Sequence, residues 1–121
     1  MSVTFTNARL VCGDAGVRDG SLHVAGDRIA DAPAAAAETV AETVDCRGRI
    51  LAPGIVDLGV FGIDPPACRA GGIVRVGLMP DQSPVLDDPG IIRRAAEMGK
   101  PDLWIHPLAA ATRGLAGTDL A

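Results

Sequence analysis

Short apolar runs separated by turn residues dominate the first part of the chain. The loosely alternating stretch 3–11 predicts a β-strand. Residues 21–30 predict a hairpin with its turn at Gly26 and Asp27, because glycine adopts a positive φ at little cost. A second hairpin is predicted over residues 44–51. These elements indicate a mainly antiparallel β module.

The pattern between the two predicted hairpins is different. Residues 31–42 are rich in alanine and acidic side chains and contain Pro33. This composition predicts a loop, with a short helix starting at Ala34 as the alternative. The turn of the second hairpin is expected at Arg47 and Gly48.

Beyond Gly54 the pattern changes to that of strands joined by helices. Apolar stretches at 55–61, 73–79 and 103–105 predict three strands. Asp88 and Pro89 predict a helix start, with Asp88 as the N-cap. An apolar helix face follows at 3.6-residue spacing, and Gly99 is expected as the C-cap. Its members are Ile91, Ile92, Ala95, Ala96 and Met98. The alternation predicts a β/α unit with parallel strands.

The connection between the first two of these strands is unusually short. It has eleven residues, 62–72, whereas a parallel crossover with its helix needs at least about 10–12 residues. Pro65 and Pro66 argue against a helix in its first half, and Gly71 and Gly72 argue against one in its second half. Only residues 67–70, about one turn, remain for a helix. We therefore expect no helix that covers these two strands, and an apolar strand surface that is uncovered or covered by a partner.

Length and composition limit the architecture. The chain has 121 residues, of which 48% are hydrophobic, whereas a complete eight-stranded β/α barrel takes about 250 residues. The predicted fold class is α/β: an N-terminal antiparallel β module, residues 1–53, followed by a partial, barrel-like parallel β/α unit, residues 54–121. This second part is incomplete relative to a full TIM barrel.

Charge and hydropathy restrict the partners and the compartment. The net charge is −4 and the pI about 4.9, without a basic cluster, so nucleic acid is not an expected partner. The N-terminal segment lacks the basic and apolar regions of a signal peptide. No run reaches the roughly 18 apolar residues of a membrane span. We expect a cytoplasmic protein without a membrane partner.

Cysteine and histidine give little sign of a metal site. Cys12, Cys46 and Cys68 are far apart, which indicates reduced structural thiols; a three-cysteine metal site is the alternative, and the spacing does not favour it. His23 is expected on the solvent side of its strand. His106 ends a predicted strand, where it could act as ligand or base, but a structural role is favoured because no second ligand is near in sequence.

Acidic residues cluster in the second half of the chain. Asp57 is interpreted as a hydrogen-bonded structural carboxylate. Asp87 and Asp88 are interpreted as capping residues before the helix at Pro89. Asp64 and Asp81 are candidates for weak cation ligands, but two carboxylates do not make a hydrolytic centre.

The segment 50–61, ILAPGIVDLGVF, resembles the first barrel strand of the dihydroorotase-like branch of the amidohydrolase superfamily. Residues 71–89 are similar to that family's second barrel strand and the loop after it, and residues 109–115 to its segment after strand three. The resemblance covers nearly the whole chain. It implies a small β domain before a barrel, and zinc-dependent hydrolysis of the cyclic amide of dihydroorotate.

The family's site positions hold unsuitable residues in this chain. The two histidines that bind zinc in the family are replaced by Gly59 and Phe61. The arginine that holds the substrate carboxylate is replaced by Ile63, and a substrate-contacting asparagine by Ser83. The resemblance therefore implies no catalytic residues, no substrate-binding residues, and no zinc or other cofactor.

Three functional hypotheses remain open at this point. The resemblance implies a non-catalytic, dihydroorotase-like protein of pyrimidine biosynthesis, because some members without zinc ligands are structural partners of aspartate transcarbamoylase. A homo-oligomer is the other partner expectation. The second hypothesis is an active cyclic amidohydrolase completed by another chain. The third is a truncated gene product without function.

Overall fold

The computed structural model describes residues 2–30 and 41–121, which divide into two compact units, Met1–Pro53 and Gly54–Ala121. The first unit contains one five-stranded sheet with β1 at its centre. Its strands are β1 (Ser2–Val11), β2 (Val17–Ala25), β3 (Arg28–Ala30), β4 (Ala41–Asp45) and β5 (Ile50–Leu51). A 3₁₀ turn, Gly13–Ala15, joins β1 to β2.

The antiparallel part of this sheet follows the sequence prediction. β2 pairs antiparallel with β1 and with β3, and Gly26 and Asp27 form the turn between β2 and β3, as predicted. β2 begins at Val17, earlier than expected. The register with β1 shifts between Phe5 and Ala8, a β-bulge at which Asn7 has a φ of 52°.

The predicted second hairpin is wrong. β4 and β5 do not pair with each other; both run parallel to β1, so the chain keeps its direction through the turn at Arg47 and Gly48. Gly48 N donates to Asn7 O at 2.7 Å, and Arg9 N donates to Arg49 O at 3.0 Å. These two hydrogen bonds pair backbone groups of the turn with backbone groups of β1. The chain therefore continues along β1 instead of reversing its direction. The first sheet is consequently mixed.

The loop expected over residues 31–42, with its alternative helix from Ala34, lies outside the described residues up to position 40. Residues 41 and 42 belong to β4. The buried side chains of the first unit are Ala8 and Leu10 on β1, which are 1% and 3% exposed.

The second unit contains a parallel three-stranded sheet, as the alternation of apolar runs predicted, in the order β6-β7-β8. Its elements are β6 (Ile55–Val60), α1 (Pro65–Ala70), β7 (Ile73–Leu78), α2 (Pro89–Glu97) and β8 (Trp104–Pro107), followed by a 3₁₀ turn at Arg113–Leu115. Helices and strands pack into one core of the buried residues Val76, Leu78, Leu86, Ala95, Leu103 and Ile105. The α/β class is confirmed.

The expectation that the first two parallel strands are joined by at most about one helical turn, over residues 67–70, without a covering helix is wrong. α1 begins at Pro65, with Asp64 as N-cap accepting a hydrogen bond from Ala67 N at 3.1 Å. Prolines fit the first turn because backbone N–H groups there have no partner within the helix. Cys68 on α1 packs against the core cluster. The helix is nevertheless short, at six residues.

Helix α2 starts as predicted and ends differently. Asp88 caps it by accepting hydrogen bonds from Gly90 N at 2.7 Å and Ile91 N at 3.3 Å. Its C-cap is Met98 rather than Gly99, and Met98 is 65% exposed instead of packing in the core. Gly99 is required for another reason: an added Cβ would lie 2.6 Å from Leu103 O.

No helix among the residues with described coordinates is long and apolar enough to cross a membrane.

Candidate functional site

The carboxyl ends of β6, β7 and β8 meet at one edge of the parallel sheet, which is where β/α barrels place their ligands. Gly59 lies in β6 near this edge. Its N–H donates to Asp57 Oδ1 at 3.2 Å, so Asp57 has the structural role expected of it. A Cβ built on Gly59 would meet no atom within 4 Å, so the backbone leaves room for a larger residue.

Phe61 follows the end of β6, and its side chain is 68% exposed. Its carbonyl oxygen accepts a hydrogen bond from Gln82 Nε2 at 3.2 Å, and the same nitrogen donates to Met79 O at 3.0 Å. Gln82 thereby links the ends of β6 and β7. The sequence did not predict this role, and its available signal was a polar amide in the loop after β7.

The other two predicted site positions, Ile63 and Ser83, lie in the loops that follow β6 and β7. Ile63 is half-buried and packs against the core cluster with its hydrocarbon side chain. Ser83 is exposed in the loop before α2 and lines a cleft of about 320 Å³ with Leu86, Ile91 and Arg94.

Gly59 and Phe61, at the carboxyl edge of the parallel sheet, do not fit a zinc ion. Catalytic zinc takes three protein ligands from His, Cys or carboxylate groups and keeps an open position for water. Gly59 supplies no side-chain donor and Phe61 supplies hydrocarbon. Across residues 2–30 and 41–121, no three His, Cys, Asp or Glu side chains are grouped so that they could hold a metal ion.

Most of the acidic candidates in this unit are used as hydrogen-bond acceptors. Asp64 and Asp88 cap α1 and α2. Asp87 was expected to cap the helix together with Asp88, but it does not. Its Oδ2 accepts a hydrogen bond from Gly114 N at 2.7 Å and fixes the C-terminal segment. Asp81 is exposed beside Gln82. These carboxylates are distributed over separate structural tasks.

The two histidines lie in different units and have different partners. His23 is half-buried, and its Nδ1 lies 3.0 Å from Thr4 Oγ1. The cross-strand pairing of β1 with β2 places these two residues opposite each other. His106 is exposed, and its Nε2 lies 3.2 Å from Arg75 Nη1. A guanidinium can only donate, so the imidazole nitrogen accepts this bond.

Asp45, at the turn between β4 and β5, has a lowered pKa. The backbone N–H of Arg47 and the side-chain amide of Asn7 donate to Asp45 Oδ1 at 2.9 and 3.0 Å. These bonds favour the ionised carboxylate and hold the pKa of Asp45 below its ordinary value of 3.8. The three cysteines are half-buried free thiols.

One side of the parallel sheet carries exposed side chains, and we call this surface the open face. Val56, Arg75 and Trp104 are paired across the three strands and form one row on it. Leu58 and His106 extend it along β6 and β8. Val56 is 52% exposed, Leu58 78% and Trp104 48%. Parallel sheets in complete β/α proteins are covered on both sides.

Comparisons with known proteins agree with the fold and the sequence motifs. No family model matches the chain. It is 30% identical to a dihydroorotase from Syntrophotalea carbinolica, in an alignment that covers all of this chain and 32% of that protein. Dihydroorotase-like proteins from Pseudomonas putida and Pseudomonas aeruginosa are 32% and 34% identical, covering 100% and 84% of this chain. The chain spans about a third of the length of these relatives.

Solved structures show the same fold at lower sequence identity. The L-hydantoinase (dihydropyrimidinase) of Arthrobacter aurescens superposes with a TM-score of 0.70 at 21% identity, covering 91% of this chain and 28% of that chain. A prolidase superposes with a TM-score of 0.60 at 14% identity, covering 93% of this chain and 33% of that chain. On the strand motifs, the fold and these relatives together, the chain belongs to the dihydroorotase-like branch of the amidohydrolase superfamily.

Proposed function

We propose that this protein is a non-catalytic dihydroorotase-like protein, a pseudoenzyme that contributes to pyrimidine biosynthesis as a structural partner. The observation that carries the proposal is the pair Gly59 and Phe61 at the family's zinc positions, with no replacement cluster among the described side chains. Its two units would correspond to part of the family's composite β domain, residues 1–53, and a TIM barrel fragment, residues 54–121.

The chemistry of the family's reaction explains why these positions matter. A bound metal lowers the pKa of its water to about 7, which supplies hydroxide to attack the cyclic amide. A side chain of hydrocarbon and a glycine cannot coordinate that metal. Ile63 likewise offers no paired N–H groups for a substrate carboxylate, which an arginine would hold with two hydrogen bonds. Both metal activation and substrate orientation are therefore expected to be absent.

We propose aspartate transcarbamoylase as the partner and the cytoplasm as the compartment. Support comes from the resemblance to branch members that lack zinc ligands, and from the relatives named dihydroorotase-like proteins in two Pseudomonas species. The open face provides apolar surface suited to association. A homo-oligomer is the alternative assembly.

Metal content and hydrolase activity test the loss of catalysis. The purified chain is incubated with zinc, dialysed and analysed for bound metal, and hydrolysis of dihydroorotate is then measured. We expect no stoichiometric zinc and no turnover above the uncatalysed rate, with the Syntrophotalea carbinolica dihydroorotase as positive control. Stoichiometric zinc together with turnover would instead support an active cyclic amidohydrolase.

Association is tested separately by sedimentation velocity. The chain is mixed with the catalytic subunit of aspartate transcarbamoylase, and a boundary faster than that of either component is expected. Unchanged boundaries at all concentrations would contradict the partner assignment while leaving the catalytic result intact.

A further inference from the structure

A cleft of about 320 Å³ lies between α2 and the loop that precedes it, on the helix side of the parallel sheet, and we call it the α2 cleft. The described residues that line it all come from one continuous segment, 78–98, which runs from the end of β7 to the end of α2. The cleft is therefore formed by a single stretch of the chain. It lies on the side of the sheet opposite the open face.

The floor of the α2 cleft is apolar and held in place. Leu78, Leu86 and Ala95 are 4%, 2% and 6% exposed and belong to the buried core of this unit. The backbone of Leu86 is fixed through both of its polar groups. Its N–H donates to Pro80 O at 3.0 Å, and its carbonyl oxygen accepts from Ala110 N at 2.8 Å. A floor that is already ordered lets a ligand bind without a further entropic cost in the protein.

One wall of the α2 cleft is a side of the helix itself. Ile91, Arg94 and Met98 follow each other at spacings of three and four residues, which places them on the same side of α2. Met98 is 65% exposed although its side chain is apolar. Arg94 is exposed as well, and the ion pairs found among residues 2–30 and 41–121 do not include it. The cleft thus combines an apolar interior with a positive charge at its rim.

These features fit a binding site for a small molecule. Ligand sites are concave and mainly apolar, with a few polar groups that orient the ligand, and their volumes start at about 300 Å³. A guanidinium binds a carboxylate through two parallel hydrogen bonds. We infer that the α2 cleft binds a small aliphatic carboxylate. Its hydrocarbon chain lies against Leu86 and Met98, and its carboxylate pairs with Arg94.

The polar groups of the cleft select the charge of this ligand. Arg94 is the charged side chain of the described lining, and its guanidinium can only donate hydrogen bonds. The hydroxyl of Ser83 lies at the rim and can donate a further one. A cationic head group would be repelled by Arg94, and an uncharged one would forgo the charge-assisted bond. The proposed binding is independent of the structural role argued above.

Isothermal titration of the full chain with octanoate, kept below the concentration at which it forms micelles, tests the inference. Three matched compounds are controls. Octan-1-ol has the same chain without the charge, acetate has the charge without the chain, and octylammonium reverses the charge. We expect saturable binding of octanoate and a Kd at least about tenfold weaker for each control. Each control lacks either the charge-assisted hydrogen bond or the buried methylene groups.

Two neighbouring arginines give a matched pair of protein variants. Arg93 and Arg94 are both exposed on α2, but of the two only Arg94 lines the cleft. R94Q should weaken octanoate binding about tenfold and leave octan-1-ol binding unchanged. R93Q should bind octanoate as the unsubstituted chain does. Met98→Ser should weaken the binding of octanoate and octan-1-ol alike, because it removes apolar lining. Circular dichroism checks that all three variants fold.

Nuclear Overhauser effects locate the bound ligand. We expect them between the chain of octanoate and the methyl groups of Ile91 and Met98. Contacts with Leu58 or Trp104 instead would place the ligand on the open face and overturn the inference. The absence of saturable binding, equal affinities for octanoate and octan-1-ol, or equal losses in R94Q and R93Q would also overturn it. Zinc, dihydroorotate and the transcarbamoylase subunit take no part in these measurements, so their outcome is separate from that of the proposed function.

Discussion

Gln82 Nε2 donates to the carbonyl oxygen of Phe61, and this contact ties the end of β6 to the loop after β7. The same nitrogen also donates to Met79 O. The Gln82 amide therefore links the carboxyl ends of two neighbouring strands of the parallel sheet.

Replacing Gln82 by alanine should destabilise the second unit. Both carbonyl oxygens lose a partner, and each such hydrogen bond contributes about 1 kcal/mol. We expect a fall of about 1–2 kcal/mol in the free energy of unfolding, measured by urea denaturation followed through Trp104 fluorescence. Ser83→Ala, an exposed neighbour, is the control and should change stability by less than about 0.5 kcal/mol. Equal stability of both variants would show that the amide link is dispensable.

A pair of glycine substitutions tests the packing of β6 on β7. A Cβ on Gly77 would lie 2.7 Å from Leu58 O, whereas one on Gly59 meets nothing within 4 Å. Gly77→Ala should therefore destabilise the unit by about 1–3 kcal/mol through overpacking. Gly59→Ala should be neutral or stabilising by up to about 1 kcal/mol, because alanine restricts the unfolded chain. Thermal unfolding of both variants measures the difference, and a reversed order would refute the close approach at Gly77.

Restoring two imidazoles tests the reason for the expected loss of zinc. The backbone at Gly59 has space for a side chain, and Phe61 is already exposed. The variant G59H/F61H should bind zinc weakly in isothermal titration, because two of the usual three or four ligands are regained. G59H and F61H alone should bind no better than the unsubstituted chain. Equal zinc binding by the starting chain and the double variant would contradict the assignment of these positions.

The carboxyl group of Asp45 should titrate with a pKa below 3.8, because the Arg47 N–H and the Asn7 amide stabilise its charged form. A folded-state pKa below the unfolded value stabilises the fold above the unfolded pKa, and this contribution disappears as pH falls through the folded-state pKa. Carboxyl NMR titration measures the value directly. In Asn7→Ala the pKa should move back toward 3.8, whereas an unchanged pKa would assign the shift to Arg47 N–H alone.

The open face bears on an expectation made from the sequence. A short β6–β7 connection predicted that the strand surface normally covered by its helix would be uncovered. This prediction is wrong, because α1 covers that side, where Cys68 meets the core. Val56 and Leu58 are exposed on the opposite side of the sheet. The exposed side is the one without helices among the described elements.

The sequence pattern was sufficient for features that depend on residues close together in the chain. The strands at 55–60 and 73–78, the Gly26–Asp27 turn and the Asp88 cap follow from side-chain alternation, glycine geometry and hydrogen bonding to nearby N–H groups. The assignment of Gly59, Phe61, Ile63 and Ser83 to site positions of the family also comes from sequence alone, through the order of the motif residues, and stays a prediction.

Tertiary structure decided what depends on neighbours distant in sequence. The turn at Arg47 and Gly48 has the same residues whether the chain reverses or continues, and β1 selects continuation by pairing with both β4 and β5. The amino-acid order also could not show that Gln82 joins two strand ends, or that Arg75 and Lys100 meet at Trp104. Sequence thus determined most of the strands and the start of α2, whereas packing determined strand direction and the surface chemistry, since both arise from contacts across many residues.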